Sequence, residues 1–141
     1  MLELSMRVLA IDPGFDRCGV AVVEYVDGKE VLLYSTCITT DKNTPLPRRL
    51  ATIGAELESI ITTHKPTTLG IETLFFNKNI TTGIGVAQAR GVVLYIAEQH
   101  RLTIYEHGPQ EVKVAVTGYG NSDKAGVYAM IQRLVSNIPK K

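Results

Sequence analysis

Arg7-Val8-Leu9-Ala10-Ile11-Asp12-Pro13-Gly14 is an apolar run that closes on an acid and a Pro-Gly pair. An uninterrupted apolar stretch of this length suits a strand buried on both faces and stopped by turn chemistry, which makes residues 7–12 a central strand. On its C-terminal side, residues 18–26 (CGVAVVEYV) and 30–39 (EVLLYSTCIT) are rich in β-branched and aromatic residues and flank Asp27-Gly28, a dipeptide that favours two-residue hairpins. Three successive strands predict an antiparallel start to a sheet.

Beyond them the period changes. Leu50, Ile53, Leu57 and Ile60/Ile61 repeat at helical spacing from Leu46 onward, with Thr44 and Pro45 or Pro47 near the start. This helix covers one sheet face. Residues 67–72 (TTLGIE) then form a short strand that ends on Glu72, and the helical crossover before it predicts parallel pairing. A helix from Ile80 to Glu98 carries Gly83, Gly85, Ala87, Ala89 and Gly91, small residues that admit another helix or a subunit at close range. A strand at 102–106, helix signals at 109–116, a Gly118-Tyr119-Gly120 turn and a last helix capped at Ser122 complete the chain. The expected class is α/β, with a mixed five-stranded sheet flanked by helices.

The 141 residues fit one domain, 1–141, because a single core suffices at this size. A hydrophobic fraction of 45% and a charged fraction of 21% exclude disordered and collagen-like classes. No run of about 18 apolar residues and no signal-type N-terminus occur, so a cytoplasmic protein without a membrane partner is expected. Cys18 and Cys37 lack zinc spacing and read as reduced, buried thiols. A formal charge of +1 predicts no partner by itself, so any electrostatic footprint must come from arrangement.

Asp12 and Glu72 each end an apolar strand, and parallel neighbours place their C-terminal ends together, where open α/β sheets bind ligands. Two ionised acids at such a point need a cation, and hard oxygen donors select Mg²⁺ or Mn²⁺. The same residues also suit plain turn capping, and position alone does not separate the two readings. After Glu72, Phe75-Phe76 beside Asn77, Lys78 and Asn79 fits base stacking and phosphate contact, or packing of a phenylalanine under the loop. Lys113 and Lys124 flank the Gly118-Tyr119-Gly120 turn and can present two ammonium groups to phosphate, or simply stand in solvent. Arg17, Arg48 and Arg49 read as ordinary exposed charges. His64, His100 and His107 lack ligand spacing and read as element ends.

AIDPG at 10–14, GIETLFFNKN at 70–79, QARGV at 88–92 and QEVKVAVTGYGNSDKAGV at 110–127 resemble, in order and spacing, the motifs of the RuvC family of Holliday junction resolvases. The resemblance implies an RNase H-like fold, a homodimer with its contact on the helix at 80–98, and nicking of four-way junction DNA by Mg²⁺-activated water. It also implies branch-migration proteins as partners. Asp12 and Glu72 match catalytic metal-binding acids, Phe75 matches a residue implicated in base contacts, and Lys113 and Lys124 match basic residues near the scissile strand.

One departure stands against this. The family carries two further acids, three residues apart, on a C-terminal helix, whereas no acid lies in Val135–Lys141. Two carboxylates alone imply weak metal binding and feeble cleavage. Loss of that helix would also expose apolar surface. A catalytically incomplete junction-binding protein is therefore the alternative to an endonuclease. Asp123 is a conceivable substitute acid, although its place beside Lys124 suits a helix N-terminus better. A nucleotide-binding domain of the actin and sugar-kinase type also begins with an Asp-x-Gly turn, but the chain has no second such motif and too little length for two lobes.

Overall fold

Strand β1 (Met6–Asp12) is flanked on both sides, as its apolar run requires. It pairs antiparallel with β2 (Arg17–Val26), which pairs antiparallel with β3 (Lys29–Thr39). Asp27 and Gly28 both have positive φ, 52° and 75°, the conformation of a two-residue hairpin whose twist matches its strands. Helix α1 (Leu46–His64) starts on the Pro45 carbonyl and ends at Lys65 in the left-handed conformation, ahead of Pro66. It leads to β4 (Thr68–Glu72), which pairs parallel with β1. Helix α2 (Ile80–Gln99) leads to β5 (Thr103–His107), parallel with β4. Helix α3 (Lys124–Leu134) runs into the two-residue β6 (Val135–Ser136), which pairs with the start of β3. These elements come from a computed structural model that describes residues 5–73, 80–108 and 123–139.

The sheet order is β5-β4-β1-β2-β3-β6. Five strands match those read from the sequence, and β6 adds a sixth that its two residues could not announce. The strand expected at 102–106 begins one residue later. The Leu102 amide is already committed to closing α2, donating to the Ala97 carbonyl at 3.0 Å, and Arg101 takes positive φ there. The shift moves His107 to the end of β5. The last helix is capped by Asp123 rather than Ser122, since the Asp123 carboxylate accepts from the Gly126 amide at 2.7 Å. The helix signals at 109–116 and the glycine turn lie outside the described residues.

One core holds the domain. Leu9 and Ile11 of β1, Val20 and Val22 of β2, and Leu69 and Ile71 of β4 meet Ile53, Leu57 and Ile61 of α1 and Ala89, Val93 and Ala97 of α2. The two helices lie close together because Gly54 faces Val92; a Cβ at Gly54 would come within 3.3 Å of a Val92 methyl. Cys18 is buried here, and burial pushes its thiol pKa up, outweighing a backbone hydrogen bond to Gly14. Cys37 departs from the buried expectation: it neighbours Ile38, whose side chain takes the core face, and the pleat turns Cys37 to the exposed face. Among the described residues no helix is long and apolar enough to cross a membrane.

Ile53 is wholly buried between the helices and the sheet. Ile53→Ala should cost about 2–5 kcal/mol of unfolding free energy, read by denaturant titration. An effect within about 0.5 kcal/mol, the usual range at solvated positions, would mean this face is not packed.

Candidate active site

Register does the positioning. Ile11 pairs with Ile71 across the parallel β1–β4 ladder, so the next residues, Asp12 and Glu72, emerge beside each other at the C-terminal edge. Leu9, Ile11, Leu69 and Ile71 point into the core, and alternation turns Asp12 and Glu72 to the opposite, open face. The row continues outward on both sides. Gly19 of β2 pairs with Asp12 and contributes no side chain, while His107 of β5 pairs with Glu72. An open cleft of about 590 Å³ runs along this face, with Asp12, Glu72 and His107 at one end and Val8, Ala10 and Ala21 along its floor.

The acids interact. Burial raises the Glu72 carboxyl above its ordinary value, the Asp12 charge raises it further, and a hydrogen bond shared with Asp12 adds to the shift. Two carboxyl groups this close either share a proton or hold a cation between them. The donor set is hard oxygen, which fits Mg²⁺ or Mn²⁺ and disfavours softer ions. Among the described residues no group of three or more His, Cys, Asp or Glu side chains is arranged to hold a metal.

Two arginines brace the strand ends. Arg49, read from sequence as an ordinary exposed charge, is only 7% exposed, whereas Arg48 and Arg17 are exposed as expected. Its Nε donates to the Thr40 hydroxyl at 2.9 Å, it forms an ion pair with Asp16, and its guanidinium lies 4.9 Å from the Phe15 ring centroid. Arg49 lies four residues before Ile53, on the buried stripe of α1, and that spacing was the available signal. Arg90, in the QARGV stretch of α2, pairs with Glu106 and reaches the Glu72 carbonyl at 3.5 Å.

The remaining candidates separate. Lys124 is exposed at the first turn of α3 and is not among the described residues that line the cleft. Asp123 is engaged as a helix cap and is not brought to the acid pair. His64 ends α1 and stacks on Tyr34, and His100 follows α2 and meets Glu58 at 2.6 Å. His107 does reach the cleft. It ends β5, as its element-end reading has it, and the β4–β5 register sets it beside Glu72. Phe75, Lys78 and Lys113 lie outside the described residues.

The profile of the family described as crossover junction endodeoxyribonuclease RuvC matches residues 8–141. The chain is similar to the crossover junction endodeoxyribonuclease RuvC of Leifsonia xyli subsp. xyli, at 42% identity over 133 residues, 94% of this chain and 64% of that protein. It is similar to the protein of the same name from Heliobacterium modesticaldum, at 41% identity over 96% of this chain and 85% of that protein. Its fold superposes on T. thermophilus RuvC in complex with Holliday junction substrate with a TM-score of 0.89, at 29% identity, over 96% of this chain and 84% of that one. The chain thus spans somewhat under two thirds of one of these relatives and more of the others. The RNase H-like fold implied by the motifs is the fold found.

A carboxyl with a raised pKa binds its proton more tightly folded than unfolded, so Glu72 costs stability as pH rises from the ordinary glutamate range through its folded value. Glu72→Gln should therefore melt higher than the unsubstituted chain at neutral pH, with the gain vanishing below the ordinary glutamate range. Mg²⁺ should narrow the neutral-pH difference by stabilising only the unsubstituted protein. Equal melting temperatures at both pH values would remove the repulsion argument.

Proposed function

The chain belongs to the RuvC family, and on that premise we propose that it carries the catalytic fold of a Holliday junction resolvase, an endonuclease that nicks four-way DNA junctions in recombination and repair. The observation that carries this reading is the Asp12–Glu72 pair at the C-terminal edge of adjacent parallel strands, facing an open cleft.

Asp12 and Glu72 would hold Mg²⁺, with Mn²⁺ as a substitute. An ion held there would supply charge neutralisation at the scissile phosphate. The protein's part is to fix both carboxylates at one point on a rigid sheet edge, where preorganisation lowers the cost of reaching the reactive geometry. Val8, Ala10 and Ala21 give the cleft an apolar floor beside that point. Phe75 and Lys78, directly after Glu72 in sequence, suit base stacking and backbone contact, and Lys113 and Lys124 suit phosphate contact as catalytic and binding residues. Residues 1–141 act as one nuclease domain.

A homodimer suits cleavage of two strands of a symmetric junction. Helix α2 is the face for it: Ile84 and Tyr95 are 52% and 62% exposed, with Gln88 and Gly91 between them on the same side. Gly85 and Ala89, from the same small-residue series, are buried against the protein's own core. The partners are junction DNA, a second copy and branch-migration proteins, in the cytoplasm and without a membrane.

Incubating the chain with a labelled four-way junction in Mg²⁺ or Mn²⁺, resolved on denaturing and native gels, tests the reading. Feeble paired nicks that Asp12→Asn abolishes are expected. A shifted but uncut junction would leave a binding protein whose two acids do not suffice, and no shift would remove junction DNA as its substrate. Binding should also weaken steeply with salt, because phosphate contacts release counterions. A salt-independent shift would contradict the assignment of Lys113 and Lys124.

A further inference from the structure

We propose that Arg49 is a positioning residue for Asp12, acting through the β1–β2 connection that its guanidinium locks in place. The inference rests on the metal-holding role proposed for Asp12.

Asp12 is followed by only four residues, Pro13 to Asp16, before β2 begins. Three elements hold them. From α1, Arg49 pairs with Asp16 and lies over the Phe15 ring. From the end of β3, the Thr40 hydroxyl donates to the Phe15 carbonyl and the Thr40 amide donates to the Asp16 carbonyl at 3.1 Å. Arg49 Nε donates in turn to that same Thr40 hydroxyl at 2.9 Å, so one guanidinium joins the two anchors. From α2, Gly85 admits Phe15: a Cβ there would stand 2.5 Å from the ring. Gly14 makes the close turn possible, since a Cβ at that position would meet the Arg17 carbonyl oxygen at 2.2 Å.

A buried cation is costly and persists only with fixed partners. Arg49 meets Thr40 through Nε and Asp16 through a terminal nitrogen of one rigid fork, and its guanidinium lies over the Phe15 ring. Lysine, a point charge on a flexible stem, cannot do all three. Loss of the fork therefore frees the segment next to Asp12 while the β1 ladder stays paired. Groups that orient metal-binding residues typically contribute about 10–100-fold to affinity or activity. Asp12 needs such a brace because it is the last residue of its strand, with one flank held by the ladder and the other by this loop.

Mn²⁺ binding measured by the electron paramagnetic resonance of free Mn²⁺ tests this without relying on cleavage. The full chain, Asp12→Asn, Arg49→Lys and Asp16→Asn are compared, each below its own melting temperature. Asp16→Asn is included because the Asp16 side chain is 63% exposed and its substitution leaves the core intact even if Arg49→Lys fails to fold. Asp12→Asn should abolish the site. Arg49→Lys should weaken it by about 10–100-fold, and Asp16→Asn should weaken it in the same direction by less. Unchanged Mn²⁺ affinity in Arg49→Lys and Asp16→Asn, with only a lower melting temperature, would make Arg49 a stabilising residue and overturn the proposal while leaving the site itself in place. Mn²⁺ binding that ignores Asp12→Asn would overturn the metal site and this inference together.

Discussion

Parallel pairing between β1 and β4 is the constraint from which the rest of the molecule follows. Four residue pairs, Val8–Thr68 through Ile11–Ile71, set two apolar strands side by side with their C-terminal ends level. A slip of one residue would turn Leu69 and Ile71 to the open face and Glu72 into the core. Burial of those two side chains against α1 and α2 forbids that slip, so the hydrophobic core fixes the register that juxtaposes the carboxylates. Packing free energy is thereby converted into geometry at a site that would repel itself if left alone. The raised Glu72 carboxyl marks that tension, and natural proteins accept such local costs where function requires them.

The helices serve the site as well as the core. Each sends one arginine to one strand end, Arg49 from α1 to the loop after β1 and Arg90 from α2 to the ends of β4 and β5. Arg49 thereby holds the loop that follows Asp12, and Arg90 joins the Glu72 carbonyl to Glu106. Gly54, Gly85 and Gly19 complete the arrangement by absence of a side chain: at the contact between the helices, under Phe15, and beside Asp12.

Much of this was legible from residue order. The apolar run before Asp12, the Asp27-Gly28 hairpin, the helical period of α1 and the short strand before Glu72 are local signals, and each element formed where its pattern places it. The acids followed from topology, because a helical crossover implies parallel strands and parallel strands align their ends. Arg49 was not legible as a charge in isolation: its role depends on Thr40 and Asp16, which are distant in sequence or on another element. His107 is legible as an element end, but its place beside Glu72 depends on the β5 register, which begins only after the Leu102 amide has closed α2. Cys37 was misplaced because an apolar stretch on an outer strand has one buried face, and composition does not say which. Phe75, Lys78 and Lys113 remain proposals resting on the family motifs.

The central claim is that Asp12 and Glu72 hold one cation jointly, and a double-mutant cycle on Mn²⁺ affinity addresses it directly. Asp12→Asn, Glu72→Gln and the double substitution are measured against the unsubstituted chain. If the acids share an ion, the double substitution weakens binding by much less than the product of the two single effects, because either loss already dismantles the site. Independent, multiplicative effects would mean that the two carboxylates act at separate places, and the account of the strand-end site would be wrong.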